Sequence, residues 1–430
     1  MPEKVLPSIR YAFYLFVFAI PFESASTETV SIIGSIPMIL GMALTGAALL
    51  QPRVCFKAPP WAFWWFVGYF ILCLALGTTQ NLDYISPMLA RLSKFAQMLI
   101  LMWISFNLFR YPEICRNALL LFIAACAILS MLLMFGVGTV QVAQGRSSLF
   151  GDNANTIGAM LALGLITLVG ITYGRTTVER KLIFLAWIIF PIIGTAIIMT
   201  GSRGALIGLL VGIALLIVRD GTWQAKLKIG SIAVLAIGFL VFTALSDDAM
   251  RTRLERSFYQ GDTAGRDKIQ GHAWVMFFEK PILGWGPLYN EVELGSRLGR
   301  SIRGTHSLYL TVLTETGVLG SVLFFGALGL MVRAAWQARF RMEGALPMAL
   351  MGNILITAFG SHWTGRKLFW LIMAYVLASA WPLREMARQV PPQFSDPINV
   401  ADQGAGAVPS LSEPINTRSG NVLARREGTV

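Results

Sequence analysis

The chain has 430 residues, 55% of them hydrophobic and 13% charged, with a mean hydropathy of +0.63. That balance leaves too little polar surface for a water-soluble protein of this size, so most of the chain is read as solvated by lipid. The net charge of +12 is then a matter of membrane topology rather than of nucleic-acid binding.

A hydrocarbon core of about 30 Å takes roughly 20 apolar residues per helix. Apolar runs predict about twelve spans, near residues 10–23, 30–50, 61–77, 94–109, 117–138, 156–173, 181–200, 203–218, 228–246, 306–332, 345–360 and 367–383. The fold class expected is all-α, a polytopic membrane protein with one large extramembrane loop at 247–305. Residues 389–430 are rich in Pro, Ser, Asn, Gly and charge without apolar periodicity, and read as a disordered cytoplasmic tail to a membrane domain at 1–388. The N-terminus imitates a signal peptide, with a basic start, an apolar run to Phe22 and the small residues Ser24, Ala25 and Ser26. It is expected to be retained as the first span.

Lys and Arg favour the cytoplasmic side of spans. Alternate connections carry Lys4/Arg10, Arg53/Lys57, Arg110/Arg116, Arg175/Arg180/Lys181, Arg219/Lys226/Lys228, Arg333/Arg339/Arg341 and Arg384/Arg388, whereas the others are sparser. Both termini are therefore expected inside and the 247–305 loop outside. The cysteines Cys55, Cys73, Cys115 and Cys126 fall in spans or at their inner ends, which implies no disulfide framework for the loop. His272, His306 and His362 are scattered and belong to no cluster with metal-ligand spacing, so no metal site is expected.

Cations collect at the outer boundary: Arg91, Lys94, Arg146, Arg203 and Arg266, with His306. Arg146 lies in the polar loop Gly145–Asn155, and Arg203 in the short turn Thr200-Gly201-Ser202-Arg203-Gly204. Within the large loop, Gly265-Arg266-Asp267 leads into a segment whose apolar residues Ile269, Ala273, Met276 and Phe277 form a stripe suited to lying on the bilayer surface. A turn from Lys280 to Pro287 ends it, with Trp274 and Trp285 at interfacial depth.

From Gly304 to Gly320, His306, Leu310, Leu313, Gly317 and Gly320 share one helical stripe, the glycines giving room for close helix packing. Thr305 is expected to cap this helix and to put His306 in its first turn, where the dipole and nearby arginines favour a neutral imidazole able to take a proton. Glu315, nine residues on, faces away from His306 and is assigned a structural role with another span; His272 and His362 are read as interfacial or satisfied.

Four pieces in order, Arg146 to Asn155, Thr200 to Gly204, Gly265-Arg266 to Gly286, and His306-Ser307-Leu308-Tyr309-Leu310 with Glu315, Gly317 and Gly320, resemble the O-antigen ligase and polymerase-like superfamily of bacterial membrane glycosyltransferases. The resemblance implies an inner-membrane enzyme that, without metal or cofactor, transfers a glycan from a polyprenyl diphosphate to an acceptor hydroxyl at the periplasmic face. The acceptor would be lipid A-core or a growing polysaccharide. It implies His306 as catalytic residue, Arg203 and Arg266 as the diphosphate-binding pair, Arg91 as an additional, auxiliary diphosphate-binding cation, and Lys94 and Arg146 as further auxiliary candidates. Where the family often has Asn after its histidine, this chain has Ser307. Ligase and polymerase differ only in acceptor. A flippase of lipid-linked sugars and a non-catalytic scaffold stand as readings from other classes.

Overall fold

The computed structural model describes residues 4–23, 31–80, 82–142, 145–174, 180–217, 223–246, 250–252, 255, 259, 265–339 and 344–389. The tail expected at 389–430 lies outside these from residue 390 on, as do Glu28, most of 247–264, and the basic residues Arg175, Arg219 and Arg341.

The described chain is overwhelmingly helical. Its helices are α1 (Pro7–Ala19), α2 (Ser31–Ala48), α3 (Pro52–Cys55), α4 (Trp61–Gln80), α5 (Ile85–Phe109), α6 (Pro112–Met134), α7 (Ala154–Gly174), α8 (Arg180–Met199), α9 (Arg203–Ile217), α10 (Trp223–Ser246), α11 (Arg266–Glu279), α12 (Tyr289–Arg297), α13 (Leu308–Ala338), α14 (Leu346–Thr357) and α15 (Lys367–Gln389). The all-α expectation needs one amendment. Between α6 and α7, strands β1 (Thr139–Val142) and β2 (Arg146–Leu149) pair antiparallel, with Thr139 opposite Leu149 and Val142 opposite Arg146. Among the described residues five helices are long and apolar enough to cross a membrane, α4 to α7 and α13, and seven shorter apolar helices accompany them. The chain is thus a multi-pass membrane protein with a helical core.

Contacts separate two ends. At one, Gln51 bonds the backbone of Lys4 and Leu6, Asn107 donates to the Cys55 carbonyl, and Arg10 lies 3.9 Å from Glu113. At the other, Lys367 pairs with Glu23 and Arg366 grips Asp152 through two bonds of 2.6 and 3.0 Å. The first group comprises connections read as inner and the second connections read as outer.

Helix α5 starts at Ile85, nine residues before the span expected at 94–109, so Arg91 and Lys94 lie within a helix and not in a connection. Charge misled the boundary because Arg91 is neutralised by carboxylates from distant parts of the chain, at 3.0 Å from Glu291 and 3.7 Å from Glu315.

Gly317 also departs from the expectation. It breaks α13 with φ 60° and ψ −158°, so the supposed continuous stripe is interrupted there. The turn after α11 fills the break. Val318 and Leu319 N–H groups donate to the carbonyls of Pro281 and Ile282, while Trp285 and Gly286 donate to those of Thr314 and Glu315. Backbone polar groups freed inside an apolar helix are thereby satisfied within the protein. A Cβ on Gly317 would lie 2.4 Å from the Ile282 carbonyl, and one on Gly284 2.7 Å from that of Glu315. Gly320 likewise serves its own helix: a Cβ there would meet Thr316 Oγ1. Gly317→Ala is expected to destabilise the protein by about 3 kcal/mol or more, from strain in a glycine-only conformation plus a backbone clash. A large drop in thermal unfolding temperature in detergent checks this.

The α11 stripe is corrected too. Ile269 and Met276 pack with Leu294 of α12 beside Trp285, and Ala273 is fully buried, so these residues face protein and not bilayer. The apolar surface left outward is Trp274, Val275, Phe278 and Ile282.

Candidate functional site

Three helix beginnings and one connection meet at the Asp152–Arg366 end. The first is α9. Gly201 turns the chain with φ 58°, and Ser202 Oγ accepts from the Ala205 N–H. Arg146 Nε donates to the Thr200 carbonyl at 3.0 Å, and a terminal nitrogen donates to Asn155 Oδ1 at 2.8 Å. Arg146 thus clamps the 200–202 turn to the start of α7. Gly208 and Gly212 let α9 seat closely on α14 and α7, where a Cβ would meet Asn353 at 2.8 Å and Ile166 at 2.3 Å. Arg203, half-buried, is the first residue of a helix fixed at this depth.

The second is α11. Gly265, with φ 73°, admits the turn into it, and Arg266 is its first residue. The Arg266 guanidinium lies against Gly360 in the α14–α15 connection, so closely that a Cβ there would be 2.4 Å from one of its nitrogens. Burial, and then the like charge of Arg203, hold Arg266 below the usual guanidinium range. Arg203 and Arg266 thus lie near enough for each to act on the other's charge.

The third is the start of α13, where the capping expectation is corrected. Ser307, not Thr305, is the N-cap, its side chain accepting from the Leu310 N–H. A short hydroxyl can accept from the helix's first free N–H groups. His306 therefore precedes the helix with φ 55°, in the left-handed region that costs a non-glycine residue about 1–3 kcal/mol. The other described non-glycine residues with positive φ, Phe150 and Leu288, lie in connections at this same end. Thr305 instead receives the Ser307 N–H on its hydroxyl. The His306 imidazole is held below its ordinary range by burial, then by Arg303 and Arg266, with Glu291 opposing. His306, Arg266 and Arg203 are thus linked pairwise through Arg266.

Arg91 is placed differently from the arginine pair. Glu291 and Glu315 hold it, and Glu315 also accepts from the Tyr69 hydroxyl at 3.2 Å. Arg91 thus stands in an ion-pair network with these two carboxylates. Lys94 is exposed on α5 without an ion pair among the described residues. No group of three or more His, Cys, Asp or Glu able to hold a metal occurs among the described residues.

Of two further residues beside this cluster, Glu291 escaped the sequence reading and His362 was read only as interfacial or satisfied. Glu291 is the carboxylate acting on both Arg91 and His306, and its carbonyl receives the Arg303 N–H. His362, in the connection that carries Gly360, is bonded at both ring nitrogens, to Thr311 and Thr364. Burial depresses its pKa to about 4, and Arg91, Glu291, Arg366 and His306 all act on it. The signal available was the polar run Gly360 to Lys367 between two apolar helices.

A family described as O-antigen ligase matches residues 184–325, a stretch that takes in Arg203, Arg266 and His306 and leaves out Arg91, Lys94 and Arg146. The match supports the O-antigen ligase-like superfamily for this segment. The O-antigen ligase of Salmonella typhimurium is similar as well, 27% identical over 175 residues, a match spanning 37% of this chain and 42% of that protein. The superfamily segment contains all three helix beginnings of the cluster, α9, α11 and α13.

Proposed function

We propose that the protein transfers a glycan from a polyprenyl diphosphate to an acceptor hydroxyl at the periplasmic face of the inner membrane, as an O-antigen ligase-like enzyme of cell-surface polysaccharide synthesis. The observation that carries this reading is that Arg203 and His306, from two separate helix beginnings, both lie within electrostatic reach of Arg266, which starts a third.

In this reading the donor diphosphate lies between the guanidiniums of Arg203 and Arg266, and its isoprenoid tail runs among the apolar helices. His306 removes the proton of the acceptor hydroxyl as that oxygen attacks the anomeric carbon. The new glycosidic bond forms, the bond from that carbon to the diphosphate oxygen breaks, and polyprenyl diphosphate leaves with its charge on the two arginines in place of a metal. The imidazolium then returns its proton to solvent. Arg91 and Arg146 act as braces, the first ordering Glu291 and the second the turn before Arg203. All twelve apolar helices are taken to cross the bilayer, with both termini cytoplasmic. Lipid A-core is the acceptor in this reading, and a growing polysaccharide chain would make the same site a polymerase.

The test is surface polysaccharide in a strain lacking its own copy and complemented with His306→Ala or Arg266→Ala. Loss of the transferred glycan with both variants is expected, and wild-type polysaccharide with both overturns the mechanism.

A pH dependence follows. Because burial, Arg303 and Arg266 hold the His306 imidazole below its ordinary range, it stays neutral and competent through the neutral range, and transfer falls only on the acid side of the pH at which an ordinary histidine titrates. Arg303→Gln removes a charge that disfavours imidazolium, so it is expected to raise that pKa and move the acid limb to higher pH. Rates of the reconstituted protein across pH 4.5–8, roughly the window in which histidine titrates, check both statements.

A further inference from the structure

The left-handed backbone at His306 has to be imposed by its surroundings, and the groups imposing it form a connected polar chain. Ser307 donates its N–H to Thr305 Oγ1 at 3.2 Å, and its carbonyl lies 2.8 Å from the hydroxyls of both Thr305 and Thr311. Those two hydroxyls are 2.7 Å apart. Beyond Thr311 stands His362, its Nδ1 3.3 Å from Thr311 Oγ1 and its Nε2 2.8 Å from Thr364 Oγ1. Thr305, Ser307 and Thr311 are all buried, so this chain has little water to replace a missing member. The Leu308 N–H, donating to the Ala358 carbonyl at 2.9 Å, ties the same helix start to the connection that carries His362.

We propose that His362 is a positioning residue for the transfer reaction: through Thr311 and Thr305 it fixes the backbone on which His306 presents its imidazole. The proposal rests on His306 being the base in the reading above. Both ring nitrogens are bonded, so the ring cannot turn without breaking a contact. Its surroundings also disfavour its charged form, so it stays a neutral clamp across the working pH range. The α14–α15 connection therefore serves both halves of the site, carrying Gly360 beneath Arg266 and His362 beside the His306 turn. His362 lies outside the 184–325 segment that matches the family.

The experiment is a transfer assay on the reconstituted full-length protein with His362→Leu, Thr311→Val, their double variant, and His362→Asn as the conservative replacement. Misplacing a catalytic group by about 1 Å costs up to roughly 100-fold. His362→Leu is expected to lower kcat about 10- to 100-fold with KM for donor nearly unchanged, on that scale. Thr311→Val should do the same, the double variant should be no worse than either single one, and His362→Asn should recover part of the rate. Thr364→Val, which frees one side of the ring without removing it, keeps the test open should His362→Leu unfold, and is expected to give a smaller kcat loss. Rates within twofold of wild type for His362→Leu, additive losses in the double variant, or no gain from Asn over Leu would overturn the proposal. If His306→Ala itself keeps wild-type transfer, the proposed function fails. If it abolishes transfer while the His362 and Thr364 variants do not impair it, only this inference fails.

Discussion

His306→Ala is expected to abolish measurable glycan transfer while leaving the protein folded. General base assistance is worth about 10²–10⁴-fold, and His306 holds the one imidazole close to Arg266 that stands at the mouth of α13 without belonging to it. Its side chain is half-buried, so its removal opens no core cavity. Its backbone is strained at φ 55°, so His306→Gly should relieve strain and match or exceed the wild-type melting temperature while remaining inactive. A protein that grows no less stable as it loses its activity is the signature of a conformation kept for function. Melting curves in detergent, run beside the transfer assay, separate this outcome from misfolding. Loss of activity that tracked loss of fold would place His306 in the structure instead.

The second large effect falls on the arginine pair. Arg203→Ala and Arg266→Ala are each expected to lower transfer about 10²–10³-fold, the scale for removing one charge-stabilising donor at a developing negative charge. Lysine in either place keeps the charge but loses the two-pronged geometry that fits a diphosphate, so partial activity is expected. Gly360→Ala provides a gentler route to the same end. The new methyl would meet only the far end of the flexible Arg266 side chain, so the fold is retained while the guanidinium is displaced. Its transfer rate should therefore fall toward that of Arg266→Ala with an unchanged melting temperature. A Gly360→Ala protein as active as wild type would mean that the position of Arg266 is immaterial.

Much of this architecture was legible in hydropathy, because a lipid-solvated helix writes its length directly into an apolar run. Helices α7, α8, α9 and α14 begin and end within a few residues of the runs that announced them. The boundaries failed where long-range pairing overrides local composition. Arg91 broke the apolar run of α5, yet its partners Glu291 and Glu315 lie some two hundred residues away and leave no periodic trace. The kink in α13 was equally hidden: a glycine in an apolar helix reads as a packing notch, and only the inserted backbone of Pro281 to Gly286 shows it to be a break.

At the site, the arginines stood out because charge at a membrane boundary is conspicuous, and His306 because it follows a polar loop into a span. Glu291 and His362 stayed hidden for opposite reasons. Glu291 sits in an ordinary polar amphipathic segment, whereas His362 has the pattern of any histidine satisfied by its neighbours, which it also is. Their relevance lies in what those neighbours hold, a relation carried by the tertiary fold. Ser307 shows the same limit from the other side: the residue after the histidine turned out to be the helix cap that places His306 outside the helix.

The measurement that bears most directly on the whole account is reconstitution of the purified protein in lipid nanodiscs. It is given a polyprenyl-diphosphate-linked glycan and a lipid A-core acceptor, and the product is followed by mass. The account predicts an acceptor extended by the donor glycan, with polyprenyl diphosphate released in equal amount, and neither product from His306→Ala. Product formation by His306→Ala at the wild-type rate would contradict it.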